Sequence, residues 1–107
     1  MKVYNMESPR TGRPVANQFV ISDERKLIFQ SYNSTIVTLD FQNSIITFGK
    51  DWNYSVTTSK YRNEFLSEYF PQLADTKRLK MLAEMVKACG GEIDYQLGAF
   101  IYTIKFE

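Results

Sequence analysis

The sequence contains no histidine and only one cysteine, Cys89. Histidine is the one side chain that titrates near neutrality unaided, and the commonest general acid–base and metal-ligating group. Without it, zinc-ligand spacings and the Ser-His and Cys-His nucleophile arrangements are excluded together. A lone cysteine also forbids an intramolecular disulfide, which suits a reducing compartment. Glycines number five and prolines three, and neither GxxxxGK(S/T) nor GxGxxG occurs. Gly90-Gly91 closes a helical pattern instead of opening one, so no phosphate-cradling loop is expected. No apolar run is long enough to cross a bilayer. Met1 to Arg13 lacks the apolar core of a secretory leader. Charge of one sign is missing as well: 13 basic and 12 acidic residues leave a formal +1. No overall field therefore draws the chain to nucleic acid or to an anionic membrane. The expected setting is the cytoplasm, with no membrane partner, metal or cofactor.

What the chain does contain is the material for a core. Its 107 residues are one domain's worth, enough to bury roughly two-thirds of the unfolded surface without staples. Eight Phe, seven Tyr and one Trp give a large aromatic complement for that length, and most must lie inside. Ser8-Pro9-Arg10-Thr11-Gly12-Arg13-Pro14 is rich in turn formers, so residues 1–14 are expected to be an irregular leading segment. After Pro14 the period becomes two. Val15, Asn17, Phe19 and Ile21 alternate with Ala16, Gln18 and Val20, predicting a strand over about 15–22. Leu27-Ile28-Phe29 predicts a second strand, ended by a Tyr32-Asn33-Ser34 turn. Thr35, Val37, Leu39 and Phe41 against Ile36, Thr38 and Asp40 predict a third. Ile45-Ile46-Thr47-Phe48 makes the fourth, and the short connections imply an antiparallel meander.

The period then becomes helical. Tyr61, Phe65 and Tyr69, with Leu66 and Phe70 beside them, form one apolar stripe. Thr57, Thr58 or Ser59 is the expected N-cap and Pro71 the stop. Asp75 or Thr76 caps a second helix, with Leu79, Leu82, Ala83, Val86 and Cys89 inward and Gly90-Gly91 at its end. Phe100, Tyr102, Ile104 and Phe106 return to strand period and pair with Ile93-Asp94-Tyr95 around Gly98. The expected fold class is α+β: an antiparallel sheet, made of a four-strand N-terminal meander plus a C-terminal strand or hairpin, with two helices packed on one face.

Few groups remain for chemistry. Asp51, Glu64 and Glu68 are the carboxylates available for an acid–base or metal pair. Glu64 and Glu68, four apart with Lys60 nearby, read as a solvated helix surface, and Glu92 and Asp94 as a solvent-facing strand edge. Cys89 sits near a helix C-terminus, where the dipole disfavours a thiolate, and reads as core-facing and inert. Met81 and Met85 read as core edge. Catalysis is not expected. Binding groups are more plentiful. Lys77, Lys80 and Lys87 lie along one side of the second helix, with Glu84 among them and Arg78 adjacent. Together with Arg10 and Arg13 they are candidate phosphate contacts, and Tyr4, Tyr32 or Trp52 candidate stacking surfaces. The competing reading is an ordinary charge-mixed surface. Hydroxyls also crowd Trp52 to Arg62, as helix caps or, with free helix amides and Lys60, as an anion site.

Two segments, Thr11-Gly12-Arg13-Pro14-Val15-Ala16-Asn17-Gln18-Phe19 and Trp52-Asn53-Tyr54-Ser55-Val56-Thr57-Thr58-Ser59-Lys60-Tyr61-Arg62-Asn63-Glu64-Phe65-Leu66, with Tyr32-Asn33-Ser34 between them, resemble a small domain of unknown function. That domain recurs on phages, plasmids and integrated elements of Gram-positive bacteria, a setting that includes anti-CRISPR inhibitors of the type II RNA-guided nuclease. The resemblance spans about residues 11–70. It implies a mobile-element protein and a non-catalytic inhibitor that binds the effector nuclease, or its guide complex, and blocks DNA engagement. It implies no catalytic residue. Tyr, Trp and Arg commonly dominate interface energy, so Arg13, Tyr32, Trp52 and Tyr54 are the expected partner-binding anchors. The alternative is a small nucleic-acid-binding or regulatory protein of a phage or plasmid, acting through Lys77, Lys80 and Lys87. A third reading is an accessory domain that self-associates through an exposed strand edge.

Overall fold

Tight turns between successive strands permit only antiparallel pairing, and the N-terminal half of the chain obeys that constraint. In the computed structural model, which describes residues 1–107, β1 (Lys2–Glu7), β2 (Pro14–Asp23), β3 (Lys26–Ser31), β4 (Ser34–Asp40) and β5 (Ile45–Phe48) each pair with the next. Helix α1 (Val56–Tyr69), a single 3-10 turn (Pro71–Leu73) and helix α2 (Thr76–Ala88) follow, then a hairpin of β6 (Glu92–Leu97) and β7 (Phe100–Phe106). The strands lie in the order β1-β2-β3-β4-β5-β7-β6. The last strand thus enters beside β5 and runs parallel to it. The two helices between them supply the long crossover that a parallel pair requires. The fold is α+β, with a mostly antiparallel sheet.

Register explains where the core sits. Val20, Phe29, Val37 and Phe48 are successive cross-strand partners, and Leu39, Ile46 and Ile104 form a second such row. All are buried on the face that receives the helices, in one cluster with Tyr61, Phe65 and Leu66 of α1 and Leu79, Leu82 and Val86 of α2. Each such side chain contributes roughly 1.5–3 kcal/mol by leaving water. Helix α1 lies against β3, and α2 against β6 and β7. Asp75 caps α2 as its position suggests, accepting from the Lys77 amide at 2.9 Å. At its far end Gly90 and Gly91 take φ of +87° and +119°, and the Gly91 amide closes on the Val86 carbonyl.

Several expectations are corrected. Residues 1–14 are not irregular throughout: Lys2–Glu7 is an edge strand, and the meander has five strands. The turn formers mark only the loop Ser8–Arg13, closed by the Ser8 amide on the Arg13 carbonyl (2.9 Å). Strict alternation fails in β4. Phe29 faces Val37 while Gln30 faces Thr35, so Ile36 is the extra residue of a bulge, and Ile36 and Val37 are both buried. The N-cap of α1 is Ser55, whose Oγ accepts from the Thr58 amide (3.1 Å). The apolar stripe misses the first turn of the helix because Val56 there is exposed. Cys89 is exposed and not core-facing. It is the C-cap, where φ −97° and ψ 12° depart from the helical path that an extrapolated stripe assumes. Met81 and Met85 are exposed as well, since Leu79, Leu82 and Val86 alone fill the contact with the sheet.

One glycine sets the path from the sheet to α1. The Gly49 amide donates to the carbonyl of the bulged Ile36 at 2.9 Å, and a Cβ on Gly49 would run into the Thr35 carbonyl oxygen. Backbone atoms cannot step aside as a flexible side chain would. Gly49→Ala is expected to lower stability by about 2–4 kcal/mol, measured by chemical denaturation. A change within about 0.5 kcal/mol, the size of an ordinary surface substitution, would contradict this packing.

Candidate functional site

The sheet is uneven at the end where β3 turns into β4. Gln18 is the last residue of β2 to pair with β3, so Pro14–Asn17 runs on beyond it, with Pro14 opposite Glu7 of β1 and the register shifting between there and the Asn5–Phe19 pair. Asn5 steadies this arm by donating its side-chain amide to the Val15 carbonyl (2.8 Å). Arg10 and Arg13 are exposed at its tip. At its base the Tyr32 amide donates to the Asn17 carbonyl at 2.7 Å. Both residues have left-handed backbones, φ +64° for Asn17 and +54° for Tyr32. Asparagine tolerates that region. For tyrosine it costs about 1–2 kcal/mol, because the Cβ crowds the following carbonyl. The result is a tyrosine held 55% exposed on a two-residue turn.

A second segment meets this turn. After Gly49 the chain makes two tight turns, the Trp52 amide on the Gly49 carbonyl and the Tyr54 amide on the Asp51 carbonyl (both 3.1 Å). Asp51 Oδ2 accepts from Ser34 Oγ at 2.9 Å, tying this loop to the start of β4. Tyr54 is 73% exposed. Between the two segments and the head of α1 lies a cavity of about 550 Å³. Tyr32, Asn33 and Ser34 form one side, Asp51 and Tyr54 another, and Ser55, Thr57 and Thr58 the helix side, with the buried Ser31 and Ile36 also lining it. The hydroxyls are linked. Ser31 Oγ and Thr58 Oγ1 lie 3.0 Å apart, and Ser55 Oγ donates to Thr58 Oγ1 at 3.2 Å.

The loop is fixed from behind by Arg62 of α1, which has no exposed surface. Its guanidinium donates to the Trp52 carbonyl (2.8 Å), to Asn53 Oδ1 (3.4 Å), to Asn63 Oδ1 (3.0 and 3.2 Å) and to Thr76 Oγ1 (2.6 Å). Its Cζ also stands 5.3 Å from the centre of the Trp52 ring. No carboxylate faces it. Burial pushes its pKa down to about 10, which leaves it fully cationic at neutral pH. The position was legible in principle. Arg62 precedes Leu66 by one helical turn, and so falls in an apolar column where a cation must find internal acceptors.

The structure thus brings two of the expected anchors, Tyr32 and Tyr54, to one cavity, and places Arg13 on the arm at the same end of the sheet. Trp52 is turned inward, edge-on to Phe106 (5.2 Å) and Phe48 (6.2 Å). Lys77, Lys80 and Lys87 are exposed, but on the helix that covers β6 and β7. Four inter-strand steps, about 19 Å, separate β2 from β7, so the arm arginines and the helix lysines stand over different parts of the sheet. Asp51 is likewise apart from Glu64 and Glu68, which line a smaller cavity of about 290 Å³ between β1 and α1. No group of acidic and cysteine side chains gathers in metal-binding geometry.

Residues 1–82 match a family of unknown function, DUF8033, and the chain belongs to that family. No curated protein and no solved structure matches it. The matched span takes in the arm, the Tyr32 turn, the loop, the whole of α1 and every residue lining the larger cavity.

The backbone at Tyr32 can be tested without knowing any ligand. Tyr32→Gly relieves the left-handed strain, and Tyr32→Ala keeps it. The glycine variant is expected to be more stable than the alanine variant by about 1 kcal/mol, after allowing for the added freedom of the unfolded chain. Equal stability, or a less stable glycine variant, would show that the turn stores no strain.

Proposed function

We propose that this member of the family is a non-catalytic binding protein that grips a protein partner with the sheet end carrying Arg13, Tyr32 and Tyr54. The observation that carries this reading is the pair of tyrosines. Two turns far apart in sequence each display one of them at the same cavity, and one is kept there against its backbone preference. Left-handed backbones also occur at Glu24 and Ser44 in other turns of the meander, but Tyr32 is the one that places a bulky, mostly exposed aromatic there. Exposed aromatics beside an arginine are also the residue types that anchor interfaces. Trp52 and Arg62 act behind them as the mount.

The partner class comes from the resemblance of residues 11–70 to mobile-element domains. On that reading the protein works in a bacterial host cytoplasm, binds a type II RNA-guided nuclease or its guide complex, and blocks its engagement of DNA. No helix is long and apolar enough to cross a membrane, so nothing in the helices conflicts with that location. The exposed row of Lys77, Lys80 and Lys87 supports a second reading, direct nucleic-acid binding by a phage or plasmid regulator.

Cleavage assays with a panel of type II nucleases separate the two. Excess protein is expected to inhibit at least one nuclease, and Tyr32→Ala with Tyr54→Ala to weaken that inhibition by about 30-fold or more, as loss of an interface hot spot does. Unchanged cleavage across the panel would defeat the inhibitor reading. Binding to bare DNA or RNA that falls steeply with salt, and is lost on changing the three lysines to glutamate, would establish the rival.

A further inference from the structure

The chemistry of the larger cavity says more about its occupant than that it belongs to a protein. Asp51 is the only charged residue lining it, and no lysine or arginine does. One of its oxygens, Oδ2, is engaged by Ser34, while Oδ1 has no donor. Tyr32 and Tyr54 stand at the same cavity with mostly exposed rings, and aromatic faces are electrostatically negative. Against these stands the head of α1, whose dipole amounts to about half a positive charge. Its Thr58 amide is already taken by Ser55 Oγ. A full carboxylate and two ring faces outweigh half a charge, so the cavity repels phosphate and attracts a cation.

Size and hydrogen bonding narrow the choice. A volume of about 550 Å³ is far more than an ammonium group fills. A guanidinium is flat, stacks on tyrosine and carries a fixed fork of donors that matches a carboxylate. Beyond Asp51, the cavity offers acceptors in the hydroxyls of Ser55 and Thr57 and the side-chain carbonyl of Asn33. We infer that this cavity is the receptor for an arginine side chain of the partner protein, with Asp51 as its counter-ion and Tyr32 and Tyr54 as its stacking faces. The inference rests on the protein-binding reading above and deepens it. It also runs opposite to the anion site that hydroxyls at a helix start suggest from sequence.

The test is a titration of the isotope-labelled full chain, followed by amide chemical shifts, with N-acetyl-arginine methylamide, its lysine counterpart and inorganic phosphate. The arginine probe is expected to shift the amides of Ser34, Tyr54 and Thr57 saturably in the millimolar range. The lysine probe should bind more weakly, and phosphate should leave these amides in place. Asp51→Asn keeps an acceptor for Ser34, so it preserves the loop, and is expected to weaken the arginine probe about tenfold, the scale of one lost charge-assisted pair. Phosphate binding at these amides would overturn the assignment, as would equal affinity of the Asp51→Asn variant or no saturable arginine shift. The two failures are separable. If the tyrosine variants lose nuclease inhibition while the arginine probe never binds, the pocket assignment falls and the binding reading stands. If the probe binds but no nuclease responds, the inhibitor reading falls and the arginine pocket stands as the site for a different protein partner.

Discussion

Arg62 carries a charge with no surface in water and no carboxylate to meet it, and the geometry of the loop and helix head that line the larger cavity follows from how that charge is satisfied. Leaving water costs a cation several kcal/mol. Five hydrogen bonds to neutral acceptors and the face of Trp52 offset that cost. Those acceptors come from three segments: the loop before α1, α1 itself, and Thr76 at the start of α2. None can move off without stranding part of a buried guanidinium, so the loop and the two helices are locked to one another. A lysine in its place would lack the planar fork that reaches all three.

What the lock positions is a loop that buries one aromatic and displays another. Trp52 points back into the core beside Phe48 and Phe106, and two residues later Tyr54 points out. Between these points Asp51 reaches across to Ser34, so the Tyr32 turn is referenced to the same mount. Gly49 allows the chain to leave β5 close against the β4 bulge. A cavity whose lining is cross-linked by hydrogen bonds, with two exposed tyrosines at its edge, is what a preorganised binding surface requires, because less ordering entropy is lost when a partner arrives.

Local patterns in the sequence recovered the elements whose signals are local. The β-branched run of β4, the apolar block of β5, the Asp75 cap and the Gly90-Gly91 stop all read correctly, because each depends on residues a few positions apart. Strand β1 was obscured by the turn formers that follow it. The Ile36 bulge depends on pairing with Gln30 and the close approach of Gly49, neither of which leaves a mark in alternation. The insertion of β7 between β5 and β6 is long-range, and nothing near residues 100–106 specifies it. Of the site, Tyr32 and Tyr54 were legible as aromatic residues in turns. That they share a cavity was not, nor was the part played by Asp51, since Ser34 is 17 residues away. Arg62 had a signal in its apolar column, but its acceptors lie on three segments.

Hydrogen exchange on an Arg62→Met variant tests most directly whether that one side chain holds the site. The account predicts that amides of residues 49–55 and the first turn of α1 lose protection selectively, while β2, β3 and β4 exchange nearly as before. Protection of 49–55 that stays at the wild-type level relative to the sheet would contradict it. The loop would then be held by Trp52 and its aromatic neighbours, and the buried charge would be incidental to the site.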